Sequence, residues 1–354
     1  MAVMTAGVMN LQPLTAQNIP VTDSEAESIS TTLEQSISHG DPGVLNNLIY
    51  FPEFIKRTGS RSNLRDNTDT LTKIATGFGL FNIGNGILET AKNGSFSLVH
   101  RFVKNEETHL LFRAFGEGGL DYEEITLIKV KDSIKAADIF SYQLGESYAR
   151  LFSYLIDDIK SPDAHSSLTS REKYGSIFEN ALNNKNYSAA RSAFEKFDEA
   201  TQNDKHLSLQ YMMACQHLGE KSFRKSLDRF TALFPEEPTP YLLMMATYAD
   251  TKNYADYGHA TDKLDTLLHI DPMLNYFRGN LLMKMGDLAG ALHFYELAFE
   301  YDPGIWQNTE KLVACKVVSN ELVEANDAIK LYCQTPGYKK DLVESLYAAY
   351  PALK

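Results

Sequence analysis

From residue 187 to residue 332 the apolar positions recur on a long period. Small residues stand at Ala190, Ser226, Ala260, Ala291 and Ala325, at intervals of 36, 34, 31 and 34 residues. Four residues after each comes Phe194, Phe230, Leu264, Tyr295 or Ile329, and seven after comes Phe197, Leu233, Leu267, Ala298 or Tyr332. Three residues before stand Tyr187, Phe223, Tyr257, Leu288 and Leu322. Spacings of three, four and seven share one face of a helix. A period near 34 predicts stacked helical hairpins. Each hairpin buries one apolar stripe inside itself and another against its neighbour, and the first helices line the concave side of the stack.

The first half of the chain has different periods. Ile29, Leu33 and Ile37 predict a helix over Ser24 to Ser38, stopped by His39-Gly40-Asp41-Pro42. Asp41-Pro42 starts a short second helix, and Pro52 to Thr58 a further turn. Asp66 to Thr90 reads as one long helix, with Asp66, Asn67 and Thr68 as candidate caps. From Ser95 the period shortens, and β-branched and aromatic residues predict strands over about 95–103, 108–115, 120–130 and 134–142. The short turns between them make an antiparallel meander. The fold class is therefore an α+β N-terminal domain, helices packed on a four-stranded antiparallel sheet, followed by an all-α solenoid of about five helical hairpins. Residues 146–160 read as a connecting helix with its stripe at Tyr148, Leu151, Phe152, Leu155 and Ile159, and polar Ser161 to Ser167 as the domain boundary. The expected division is a leader over 1–21, the α+β domain with its connecting helix over 22–160, repeats over 171–338 and a capping helix over 339–354.

From Arg171 the chain resembles the tetratricopeptide repeat family. The unit around Ala291 carries the resemblance best: Gly279 twelve residues before it, Gly286-Asp287 at the turn, then Tyr295, Ala298 and Pro303. Pro238 and Pro272 hold the same terminal place in the second and third units. The first unit departs, with Phe178 and Gln202 at the small and proline places. The third has extra residues near Asn253 to Gly258, and the fifth ends at Gly337. The N-terminal order of helix, Ser38-His39-Gly40-Asp41, helix, long helix and strands ending at Ala137 to Tyr142 resembles the NTF2-like, cystatin-like class of α+β folds. That class implies a cone-shaped pocket, and the repeat family implies a groove for a protein or peptide partner.

Helix geometry puts Tyr211, Cys215 and Leu218 on one face, and likewise Leu243, Thr247 and Asp250, Tyr276, Asn280 and Met283, and Glu310 and Ala314. The expected peptide-binding groove therefore uses Tyr211, Cys215, Leu243, Thr247, Tyr276, Asn280, Met283 and Glu310. Family members that clamp a C-terminal carboxylate use lysine and asparagine. Tyr211 and Tyr276 stand where such lysines would be, so the resemblance does not extend to that clamp. The same tyrosines also fit packing inside the solenoid. In the sheet, His109 and Arg113 share a strand face, and His100 and Glu123 lie on neighbouring strands. Together these four form a candidate N-terminal pocket for a small molecule or isomerase/lyase-like chemistry. Glu123 and Arg113 also fit a cross-strand surface pair.

Gly77, Gly79, Gly84 and Gly86 lack the strand, Lys and Ser/Thr of a phosphate loop, and read as small residues letting a helix approach the sheet. Gly116, Gly118 and Gly119 read as a hairpin turn needing positive φ. Cys215, Cys315 and Cys333 are too few and too scattered for a disulfide framework or zinc site, and read as small buried hydrophobes. No metal or cofactor is implied, and no metalloprotease, nucleophile-elbow or kinase motif is present.

Composition narrows the partner. With 44% apolar and 23% charged residues the chain is an ordinary globular one. A net charge of −12 opposes nucleic-acid and anionic-membrane binding. No apolar run reaches the roughly 18 residues that span a bilayer. The first residues, small and apolar to Met9 with Leu14-Thr15-Ala16 before Gln17, resemble the back half of a secretory signal, though no Lys or Arg precedes them. An upstream start with export, or a cytosolic leader, both remain open. The reading is a non-enzymatic protein- or peptide-binding scaffold. The alternative is a small-molecule or isomerase/lyase-like pocket in the α+β domain. A third is assembly, such as a homodimer through an exposed sheet face.

Overall fold

The first helix, α1 (Asp23–Ser38), starts on a capping box in which Thr22 and Glu25 satisfy each other's backbone N–H groups. The structure is a computed structural model describing residues 20–58, 68–158, 170–249 and 252–354. The leader up to residue 19, the caps Asp66 and Asn67, the boundary at 161–167, Ile159 and Asp250 lie outside the described residues. After α1 come α2 (Gly43–Asn46), α3 (Phe51–Arg57), α4 (Thr68–Phe78) and α5 (Ile83–Thr90). The single helix expected up to Thr90 is thus two. Gly79 takes φ +81°, a left-handed conformation that ends α4, and a 3₁₀ turn over Leu80–Asn82 leads into α5. Gly84 does serve close approach, but to a helix rather than the sheet. A Cβ there would lie 2.8 Å from the Pro42 carbonyl oxygen at the start of α2.

Five antiparallel strands follow in sequential order: β1 (Ser95–Lys104), β2 (Glu107–Gly116), β3 (Gly119–Val130), β4 (Ser133–Ser141) and the two-residue β5 (Glu146–Ser147). β5 takes the first two residues of the expected connecting helix, so α6 is Tyr148–Asp158. At the β2–β3 turn only Gly119 has positive φ (+109°). Gly116 and Gly118 are needed for space, since a Cβ on either would lie within 3 Å of backbone atoms at Thr90 to Lys92. One face of the sheet, with Leu110, Phe112, Ala114, Ile125, Leu127 and Ile139, packs under α1–α6. The other face, with Leu111, Phe115, Leu120 and Tyr122, is covered by the second half of the chain. The free sheet face that a homodimer would use is therefore already occupied in cis.

The second half is an all-α, tetratricopeptide-type array of five helical hairpins. They are α7 (Ser170–Asn183) with α8 (Tyr187–Phe194), and, after the short α9 (Glu199–Gln202), α10 (Lys205–Gln216) with α11 (Glu220–Leu233). The remaining three are α12 (Thr239–Tyr248) with α13 (Tyr254–Leu267), α14 (Leu274–Met285) with α15 (Leu288–Tyr301), and α16 (Trp306–Val318) with α17 (Leu322–Tyr332). Then α18 (Lys340–Ala349) closes the end with Val343 and Leu346. All five recurrent small residues are buried, as are Phe194, Phe230, Leu264, Tyr295 and Ile329. Leu233 breaks the stripe and is 38% exposed. In the first unit Phe178 replaces the small residue, and its ring packs between Phe194 and Phe197, each 5.9 Å away. Cys215 and Cys315 are buried as expected, whereas Cys333 at the end of α17 is exposed.

Candidate functional site between the sheet and the array

Strand parity decides the fate of the four expected pocket residues. Arg113 pairs with Tyr122 across β2–β3, while Glu123 pairs with Phe112, so Arg113 and Glu123 point to opposite faces. His109 shares the array-facing side with Arg113. A register shift between Leu98 and His100 brings His100 opposite Leu111, on that same side, with its ring 5.1 Å from His269. His109 is held by Glu124 at 2.8 Å and by Thr126. The quartet is not brought together, and none of its members lines the cavities described below.

Arg113 instead fastens the two halves. Its Nη1 donates to Asp271 Oδ1 at 2.5 Å, and both side chains are fully buried. Asp271 lies in the turn between α13 and α14. It also accepts from the Tyr122 hydroxyl at 2.8 Å and from the Met273 N–H at 3.1 Å. The Tyr301 ring lies 5.5 Å from the guanidinium carbon. Elsewhere between the two halves Phe115 meets Tyr276 and Phe277, Tyr154 of α6 stacks on His206 at 4.1 Å, and Gln307 donates to the Asn93 carbonyl at 3.0 Å. The sheet therefore docks on the starting ends of α10, α14 and α16 and on the turn before α14.

On the opposite face Glu123 sits beside Asp121, and its Oε2 meets no hydrogen-bond partner among the described residues. Asp121 accepts from the Ser141 hydroxyl and the Tyr122 and Gln143 N–H groups. Burial pushes Asp121 up to about 6. Burial, then the Asp121 charge, pushes Glu123 well above the carboxylate range. Unfolding returns both groups to their ordinary values, so the folded chain holds more protons above about pH 4. The stability this pair contributes is full in acid and falls as pH rises through the folded values. Glu123→Gln should flatten that fall above the ordinary carboxylate range of about pH 4, where a single proton accounts for up to about 1.4 kcal/mol per pH unit. Urea midpoints measured from acid to neutral pH check it; parallel wild-type and variant curves would contradict it.

Seven of the eight expected groove residues divide into two groups. Tyr211 stacks on Phe194 at 4.1 Å, Cys215 is buried, and Thr247 bonds Gln216 and the Leu243 carbonyl, so these three hold helices together. Leu243, Tyr276, Asn280 and Met283 line cavities. A cavity of about 500 Å³ lies among α12, α13, α14 and α16, walled by Tyr257, Tyr276, Phe277, Tyr295 and Phe115 of the sheet. Asn280 Oδ1 accepts from the Tyr295 hydroxyl at 2.8 Å and so fixes one wall. Glu310 acts on the Tyr276 hydroxyl by charge but does not line the cavity. Lys284 and Lys311 do line it. Sequence reasoning missed both, because it tested for lysines only at the places Tyr211 and Tyr276 hold. A second cavity of about 550 Å³ lies between the β2–β3 and β4–β5 turns and α10, α12 and α14. Among the described residues no group of three or more His, Cys, Asp or Glu is placed to hold a metal ion, and no helix is long and apolar enough to cross a membrane.

No protein-family model and no curated protein matches the chain. Solved structures similar to it include the MamA protein, at 17% identity over 51% of this chain and 95% of that one, TM-score 0.39. MamA 41-end from Desulfovibrio magneticus RS-1 is 15% identical over 51% of this chain and 98% of its own, TM-score 0.39. PilW, titled a widely conserved type IV pilus biogenesis factor, is 14% identical over 53% of this chain and 90% of its own, TM-score 0.35. The fold class rests on the hairpins themselves.

Proposed function

We propose that the protein is a non-enzymatic scaffold that binds a protein or peptide partner at the open side of its repeat array. The α+β part serves as a rigid second wall. The observation that carries this reading is the hollow beside α14: Tyr276, Asn280 and Met283 face a cavity that the chain's own sheet leaves unfilled, and Met283 is 41% exposed at it. Aromatic and methionine side chains around a concavity are what partner surfaces enrich. The alternative of a catalytic or ligand pocket in the α+β part is disfavoured by the split of His100, His109 and Arg113 from Glu123 across two sheet faces. A photo-cross-linking residue at position 283 tests the proposal in the native host, with one at the exposed Val323 of α17 as control. One dominant protein adduct is expected at position 283, lost when Asn280→Ala is added. Equal adducts at both positions, or none at 283, would reject it.

A further inference from the structure

The cavity between the strand turns and α10, α12 and α14 is distinct from the one that Tyr276 and Met283 line. Small residues leave it open. Thr239, Leu242, Leu243, Ala246 and Ala249 follow one another at helical spacing along α12 and its C-cap, and all five line it. The β2–β3 turn adds Gly118 and Gly119, and a Cβ on Gly119 would meet nothing within 4 Å. Met213, Met245, Tyr257 and Phe277 add apolar and aromatic wall. No Asp, Glu, Lys, Arg or His stands in the described lining. Against this background Thr239 stands out. It is 3% exposed, and its hydroxyl meets no hydrogen-bond partner among the described residues. Thr247 and Thr261 donate theirs to the carbonyls four residues back in their own helices. Thr239 is the first residue of α12, so no carbonyl of that helix lies four residues before it.

We propose that this cavity binds an uncharged, largely apolar small molecule carrying one hydroxyl or carbonyl group, which bonds the Thr239 hydroxyl. A charged ligand group would lose its water here and find no counter-charge in the described lining. An extended peptide brings an N–H and a C=O at every residue, and Thr239 is the one lining residue with a buried, unpartnered polar side-chain atom. A pure hydrocarbon would leave that hydroxyl buried and unmatched. At about 550 Å³ the cavity has the size of clefts that enclose small ligands. Leu144 and Met213 of its lining are 41% and 37% exposed, and covering them adds apolar burial to the binding. The proposal goes beyond the scaffold reading, which concerns the cavity beside α14, and it needs no protein partner.

The test is calorimetric titration of the purified full chain at pH 7 with 4-hexylphenol, hexylbenzene and 4-hexylbenzoate, each below its solubility limit. The phenol should bind saturably at one site. The benzoate, charged at that pH, should bind at least about tenfold more weakly. Thr239→Val removes the hydroxyl and keeps the shape. It should weaken the phenol about three- to tenfold and leave hexylbenzene unchanged. The thermal midpoint of the ligand-free variant should stay the same or rise, because the hydroxyl it loses has no partner. Ala246 is exposed and lines the cavity, so Ala246→Trp should block phenol and hydrocarbon alike without changing the midpoint. Absence of saturable phenol binding overturns the proposal. So does a benzoate that binds as tightly as the phenol, or a Thr239→Val change that weakens phenol and hydrocarbon equally. An apolar peptide that displaces the phenol and binds more tightly overturns it too. These titrations use purified protein at the α12 cavity, so their failure is separate from failure of cross-linking at position 283.

Discussion

Arg113→Met should lower the unfolding free energy by about 3–5 kcal/mol, and Asp271→Leu by a similar amount, because each leaves a buried charge without its partner. The pair is fully buried, and among the described residues Arg113 Nε and Nη2 have no partner that meets hydrogen-bond geometry. Desolvation is thus incompletely offset even in the wild type. The combined variant Arg113→Met, Asp271→Leu, Tyr122→Phe removes both charges and the hydroxyl that donates to Asp271. It should be far less damaging than the sum of the single changes, since replacing all members of a buried ionic group by apolar ones is often near neutral. Urea unfolding of the four proteins measures this. Strict additivity would show that the network is not coupled. The site also predicts where the damage appears: β2 and β3 on one side, the turn before α14 on the other. Hydrogen exchange in the single variants should therefore accelerate at both places together.

Why this contact was not legible in the sequence has a physical answer. The strands themselves were legible, as period two and turn residues are local signals. The residues of β2 from Thr108 to Phe115 are all buried, and such near-continuous burial marks a strand covered on both faces. The sequence Leu110-Leu111-Phe112 hinted at it, but His109 and Arg113 read as pocket polar groups. Arg113 finds its counter-ion 158 residues away. That counter-ion lies in one of three acid–proline turns of the repeat array, Glu237-Pro238, Asp271-Pro272 and Asp302-Pro303, which look alike in sequence. Only assembly distinguishes them: Glu237 pairs with Lys205, Asp302 caps its own turn at Gly304, and Asp271 pairs with Arg113 of the sheet. The position of Glu123 failed for a different reason. Same-face membership across strands depends on register, and a one-residue difference reverses it. The helix break at Gly79 was missed because the apolar period continues through it. The repeat period was readable because each hairpin is local, and its small and large residues meet within some fifteen positions.

The same locality makes the second large effect predictable from one glycine. Gly279 on α14 faces the Tyr295 ring on α15, and a Cβ there would lie 2.5 Å from the ring edge. The ring cannot retreat easily: Tyr295 is 1% exposed and its hydroxyl is bonded to Asn280. Gly279→Ala must therefore push the two helices apart. Overpacking of this kind costs about 1–3 kcal/mol, against a helix-propensity gain of up to about 1 kcal/mol. A net loss of about 1 kcal/mol is expected. Gly175→Ala supplies the opposite sign. It too lies inside a first helix, α7, but its Cβ would meet nothing within 4 Å, so it should stabilise by about 0.5–1 kcal/mol. Combining Gly279→Ala with Tyr295→Leu tests the cause, because a smaller partner removes the clash. In the Tyr295→Leu background the alanine should become neutral or stabilising, a reversal that an intrinsic backbone requirement at position 279 would not produce. Thermal or urea unfolding of the double-mutant cycle reads it directly, and a glycine requirement that persists in that background would refute the packing explanation of the repeat's small position.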